Sequence, residues 1–291
     1  MKIDPRCAYC LLSTVYYEAC LSTDNPEVIG KVVVAGLDAL HNSFKPGTGR
    51  STARMATILH RSALKILDDP DPYKKKKIRS RQVIKKLMPQ ARLLVDNGVQ
   101  IDRFRHAITA AVIGNTLDFG VDGFDVNEEG FEQEFNRLFH MGLTVDDSDK
   151  MIPLLGDVVY LADNSGEILL DTLVIEEIKR LGGKVTLVVR GAPILNDATM
   201  EDVEIHDLDK MVDTVLTTGS NAIGVCLDEA PRELQDALNR ATLIISKGMA
   251  NYETMSEYDY KPIAYMLRTK CQAVADDLGL DVNILIAKLI E

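Results

Sequence analysis

Apolar residues recur at helical spacing through the first half of the chain and gather into short, β-branched runs in the second. Residues 10–19 are dense in Leu, Val, Tyr and Ala without a breaker. Asp24-Asn25-Pro26-Glu27 reads as a helix start, an N-cap residue followed by proline in the first turn. Periodicity then runs to about His41, and a loop at Lys45-Pro46-Gly47-Thr48-Gly49 precedes a helix over 51–67. Asp68-Asp69-Pro70-Asp71-Pro72-Tyr73 breaks the pattern before a charged amphipathic helix over 74–97, closed by Gly98. Residues 104–112 and 131–142 continue the helical pattern.

The character changes near Met151. Residues 157–162 form a short apolar run, 167–181 a helix closed by Gly182-Gly183, and 184–190 a second strand. Strand, helix, strand at this spacing is a right-handed βαβ unit. Further strands are expected at 214–217, 243–246 and 264–268, and helices at 231–240 and 271–278. Runs apolar on both faces belong to a mostly parallel sheet covered by helices on both sides. The expected fold is therefore α/β, with an all-helical region at 1–150 and the sheet at 151–291.

Ligands of open α/β sheets bind beyond the carboxyl ends of the strands, so the strand ends are where chemistry is expected. The first end is Asp163-Asn164-Ser165-Gly166-Glu167. Asp163 and Asn164 offer hard oxygen ligands of the kind Mg²⁺ and Mn²⁺ prefer. The following helix presents amides and a positive dipole to an anion. Capping by Asn164 or Ser165, with Glu167 completing a box, accounts for one or two of these residues but not for the adjacent Asp163 and Asn164. The second end, Arg190-Gly191-Ala192-Pro193-Ile194-Leu195-Asn196-Asp197, brings Asp197 toward Asp163 if the strands are neighbours; a plain turn is the alternative. The third end is Lys247-Gly248-Met249-Ala250-Asn251-Tyr252-Glu253, where a mobile cation followed by exposed amides suits phosphate, and where a surface loop is the other reading. Gly114-Asn115-Thr116-Leu117-Asp118 taken alone reads as a helix C-cap. Packed over the strand ends, the helical half would close the site from water.

The chain has 291 residues and a net charge of -11, which argues against general affinity for nucleic acid or an anionic membrane. An anionic substrate is still admissible, because a bound cation reverses the local field. No apolar run is long enough to span a bilayer, and no secretory leader is read at the N-terminus, so a cytoplasmic location is expected. Of the five cysteines, Cys7 and Cys10 have ligand spacing, and Cys271 would add a third ligand if the ends of the chain meet; buried free thiols are the competing reading. The five histidines share no spacing and read as ordinary core or surface residues.

Taken together, GNTLD, LADNSGE, APILND and KGMANYE resemble the signatures of the damage-control phosphatase family, and Cys7-Ala8-Tyr9-Cys10 resembles its archaeal and bacterial branch. The resemblance runs from CAYC to RTKC at Lys270-Cys271. It implies a Rossmann-like α/β domain beneath a helical N-terminal region. It also implies a phosphatase that uses a divalent metal (Mg, Mn, Co or Ni) on small phosphorylated metabolites, including damaged or surplus sugar phosphates. By position, the family's metal ligands fall on Asp163, Asn164 and Asp197. Its substrate-facing residues fall on Asn115, Asp118, Glu167, Lys247 and Asn251, beside Gly248. Two other functions fit parts of the pattern. An S-adenosylmethionine-dependent methyltransferase would share the acidic first loop, although that loop lacks a Gly-x-Gly. A non-catalytic metal- or metabolite-binding protein would account for the cysteines.

Overall fold

The structure is a computed structural model that describes all residues except 45–50, 100 and 117–127. The loop at Lys45–Gly49 and the candidate Asp118 therefore lie outside the described residues.

Six helices come first: α1 (Cys7–Ser22), α2 (Pro26–Ser43), α3 (Thr52–Leu67), α4 (Lys74–Asp96), α5 (Ile101–Gly114) and α6 (Glu128–Met141). The α2 start is as expected, with the Asn25 side chain accepting from the Glu27 N–H and proline at the first helical position. The remainder alternates: β1 (Val145–Asp146), α7 (Ser148–Met151), β2 (Asp157–Leu161), α8 (Ile168–Arg180), β3 (Lys184–Val189), α9 (Met200–Ile205), β4 (Thr214–Thr217), α10 (Arg232–Arg240), β5 (Leu243–Lys247), α11 (Gly248–Met255), β6 (Ile263–Arg268), α12 (Gln272–Leu278) and β7 (Leu285–Ile290). The strands form one sheet in the order β1-β7-β6-β5-β2-β3-β4. All neighbours are parallel except β6 and β7.

Alternation along β2 shows why its sequence is apolar throughout. Val158, Tyr160 and Ala162 belong to one apolar core, and Val159 and Leu161 to the other. A strand covered on both faces has no polar side to show. The first core takes in residues of α4, α5, α6 and α8. The second takes in residues of α1, α2, α3, α10 and α11. The helices of the first half thus pack on both faces of the sheet and share its cores.

Strand order reverses at β2, whose neighbours are β3 on one side and β5 on the other. The helix that follows β2 is α8, in the first core; the helix that leads into β5 is α10, in the second. The two connections leave on opposite faces and open a crevice at the carboxyl ends of β2 and β5. No helix among the described residues is long and apolar enough to cross a membrane.

Candidate phosphate and metal site

The loops after β2 and β3 are stitched together by their backbones. The Ala198 N–H donates to the Asp163 carbonyl at 2.7 Å, and the Ser165 N–H to the Asn196 carbonyl at 2.9 Å. Asn164 and Asp197 form an antiparallel bridge between the loops. The carboxylates of Asp163 and Asp197, 34 positions apart, are thereby held at one place. Two glycines let α11 and α4 close on the first of these loops. Gly248, at the start of α11, has φ +75°, and a Cβ there would stand 1.8 Å from Asp163 Oδ2. A Cβ on Gly166 would stand 1.9 Å from Ser80 Oγ of α4.

Side chains then fix each carboxylate. The amide Nδ2 atoms of Asn115 and Asn164 both donate to Asp163 Oδ2, at 2.8 and 3.1 Å, and to Glu167 Oε2, at 3.0 and 2.8 Å. Lys247 Nζ donates to Glu167 Oε1 at 2.5 Å, to Asp171 Oδ1, and to the Ala111 carbonyl at 3.2 Å. Tyr160 donates its hydroxyl to Asp171 Oδ1 at 2.8 Å. On the other side Arg190 donates Nε to Asp197 Oδ2 at 2.5 Å, Nη1 to the Gly224 carbonyl and Nη2 to Asn251 Oδ1, both at 2.9 Å. Asn251 returns its amide to the carbonyls of Ala162 and Lys247.

The charge does not balance. Asp163, Glu167, Asp171 and Asp197 are each at most 6% exposed; among the described residues the buried cations bonded to them are Lys247 and Arg190, with the half-buried Lys270 near Asp163, so carboxylates outnumber cations. The imbalance shows in the acidities. Burial, followed by repulsion from Glu167 and Asp197, raises the Asp163 carboxyl well above the usual range, and Arg190 and Lys270 offset only part of this. Burial pushes Asp171 up to about 6 against the pull of Lys247. For Lys247 burial alone would favour the neutral amine, but Asp171 and Glu167 outweigh it and hold the ammonium charged.

A cavity of about 560 Å³ opens at these strand ends. Asp163, Asn164 and Asp197 are on its wall, together with Lys270 from the end of β6, Met249 of α11, and Leu11 and His60 from α1 and α3. Cys7, Cys10 and Cys271 line it too. All five cysteines are free thiols, and burial raises the Cys271 thiol. Among the described residues no three His, Cys, Asp or Glu side chains are grouped to hold a metal. The set at the strand ends is of another kind, two carboxylates and an amide.

The chain matches the damage-control phosphatase ARMT1-like domain over residues 3–284. It belongs to that family. It is 43% identical over its whole length to a protein of Archaeoglobus fulgidus named damage-control phosphatase, the whole of which is covered. It is 34% identical to an uncharacterized protein of Methanocaldococcus jannaschii, covering 97% of this chain and 94% of that one. Among solved structures it resembles the crystal structure of a DUF89 family protein from Pyrococcus horikoshii, with a TM-score of 0.90, 27% identity and complete coverage of both chains.

Within this damage-control phosphatase fold the residues singled out from the sequence divide into two layers. Asp163, Asn164 and Asp197 meet at the cavity wall. Asn115, Glu167, Lys247 and Asn251 are behind them, fully or almost fully buried and bonded to one another and to Asp163. Gly248 is the close-approach point against Asp163. Lys247 departs from expectation: in place of a mobile cation reaching for phosphate, its ammonium is enclosed by Glu167, Asp171 and a carbonyl. Asp171, Arg190, Tyr160 and Lys270 were not singled out. Asp171 left a trace, as a lone acid inside the apolar run Ile168-Leu169-Leu170-Asp171-Thr172-Leu173-Val174. An acid at that phase of a buried helix needs a cation opposite.

Proposed function

We propose that the chain is a divalent-metal-dependent phosphatase that hydrolyses phosphomonoesters of small metabolites. The observation that carries the reading is the unbalanced negative charge at the cavity wall. Buried charge is costly unless paired, and a dication beside Asp163 and Asp197 would supply what Lys247 and Arg190 do not. Asp163, Asn164 and Asp197 fit such an ion, because carboxylate and amide oxygens suit Mg²⁺, Mn²⁺, Co²⁺ or Ni²⁺ and leave room for water and a phosphoryl oxygen. The ion, when bound, neutralises charge that develops on the transferring phosphoryl group. Family membership supports the same activity.

The chain's own groups do the rest. The amides of Asn115 and Asn164 hold Asp163 in place, Lys247 holds Glu167, and Arg190 holds Asp197. Neither carboxylate needs to reorganise as the reaction proceeds. The N-terminal end of α8 and the ammonium of Lys270 favour the dianionic ester at the wall. A water oxygen forms the new P–O bond as the ester P–O bond breaks. One water proton ends on the leaving alkoxide and the other stays on the phosphate, so alcohol and hydrogen phosphate are the products. We place the protein in the cytoplasm, where five free thiols are compatible with a reducing medium.

The test is phosphate release from a panel of phosphorylated metabolites after chelation, with each of the four metals restored in turn. Activity should vanish with chelator and return with at least one metal. Hydrolysis indifferent to chelation would remove the metal from the account.

A further inference from the structure

Behind the cavity wall the loops after β2 and β3 share a further fastening, made of side chains. Ser165, next in sequence to Asn164, donates its hydroxyl to Oδ1 of Asp202 on α9. The other oxygen, Asp202 Oδ2, accepts the Thr199 N–H at 3.0 Å. Thr199 is two residues beyond Asp197. One carboxylate thus bridges the loop that carries Asp163 and Asn164 to the loop that carries Asp197. Capping of α9 explains the bond to Thr199 but not the bond to Ser165.

Asp202 and Ser165 are each 1% exposed, and neither lines the cavity. Arg81 of α4, also buried, donates Nη1 to Asp202 Oδ1 at 3.3 Å. The Asp202 charge therefore has its own partner and adds nothing to the unpaired charge at the wall. Asp163 and Asp197 repel each other, which tends to part their loops. The backbone bonds from Ala198 to Asp163 and from Ser165 to Asn196 resist that parting. A hydroxyl bonded to a buried carboxylate resists it more strongly, because a charged acceptor makes the stronger bond.

We infer that Asp202 is a positioning residue: through Ser165 it locks the two ligand loops together, so that Asp163, Asn164 and Asp197 converge before a cation binds. This rests on the metal-dependent reading above and deepens it.

The experiment compares wild type with Ser165→Ala, Asp202→Asn and the double variant. Ser165→Ala removes the bridge and leaves the α9 cap and the Arg81 pair in place. Asp202→Asn offers one acceptor oxygen in place of two, so it cannot serve Ser165 and Thr199 together. In calorimetric titration with Mn²⁺, each single variant should show a Kd raised about 10- to 100-fold, the usual cost of losing a group that orients a metal ligand. The double variant should lie within about twofold of the weaker single, because both changes break the same bridge. In the metal-free protein, amide exchange followed by NMR should quicken by at least about tenfold at Ser165 and Ala198, whose N–H groups make the cross-loop bonds. It should stay within about twofold at Lys184, whose N–H donates to Gly156 at the opposite end of β2 and β3. Unchanged Mn²⁺ binding in the single variants, effects that multiply in the double variant, or exchange that quickens equally at Lys184 overturns the proposal. Should Asp202→Asn fail to fold, Ser165→Ala decides alone. If wild type binds no Mn²⁺, the metal-dependent reading falls, and exchange at Ser165 and Ala198 still decides whether Asp202 ties the loops.

Discussion

At the scale of single residues, the account turns on how little freedom Asp163 has. Its Oδ2 accepts from two amides while Gly248 presses against it with φ +75°. Alanine at 248 must both strain the backbone and displace the carboxylate. Gly248→Ala is expected to lower kcat/KM by on the order of 10²-fold, the scale of a misplacement near 1 Å. Gly142→Ala is the control: it has a similar φ of +72° with nothing within 4 Å of the added Cβ, so it bears backbone strain alone. Equal activity in the two variants, measured with the same ester and metal, would show that the contact at Gly248 does not set the site. Asp163 and Asn164 were legible as candidates because they directly follow an apolar strand side by side, and Asp197 because it lies in the loop after the neighbouring strand. The carboxylate–lysine knot beneath them was not. Recognising it requires knowing that α8 turns Asp171 toward β5, and helical phase relative to a sheet is not written in local sequence.

Among elements, β2 to β6 and the helices α8 and α10 between them follow from apolar runs bounded by glycine and polar tips, whereas α9 and α11 were not read as helices. The last strand, β7, did not show itself. Ile284-Leu285-Ile286-Ala287-Lys288-Leu289-Ile290 is a continuous apolar run with one lysine, and such a run does not separate strand from buried helix by periodicity. β1 spans only two residues and exists because β7 offers it an edge. The element α11 carries a separate prediction. It starts at Gly248 beside the site, and burial pushes its Glu253 carboxyl from the usual 4.5 up to about 8. A carboxyl whose folded pKa is raised stabilises the fold below the unfolded value and loses that contribution as pH rises through the folded one. Stability should therefore fall between about pH 4.5 and 8. Glu253→Gln should melt close to wild type at the acid end and progressively above it toward pH 8. A melting difference that stays flat with pH would refute this assignment.

For the molecule as a whole, the net charge of -11 and the concentration of buried carboxylate at one end of the sheet point the same way. A divalent cation should stabilise the fold out of proportion to its ionic strength. Binding to the native state alone contributes about 2.7 kcal/mol at a hundredfold excess over Kd. MnCl₂ should thus raise Tm in a scan where NaCl of equal ionic strength does not, and an equal rise with both salts would reduce the effect to screening. The placement of α1–α3 against one face and α4–α6 against the other was beyond sequence reading, because amphipathic helices do not announce which face of a sheet they cover.

The most direct measurement is calorimetric titration of Mn²⁺ into the wild-type protein and into folded Asp163→Ala. The account predicts one ion per chain in the first and none in the second. Undiminished binding by the variant would contradict it.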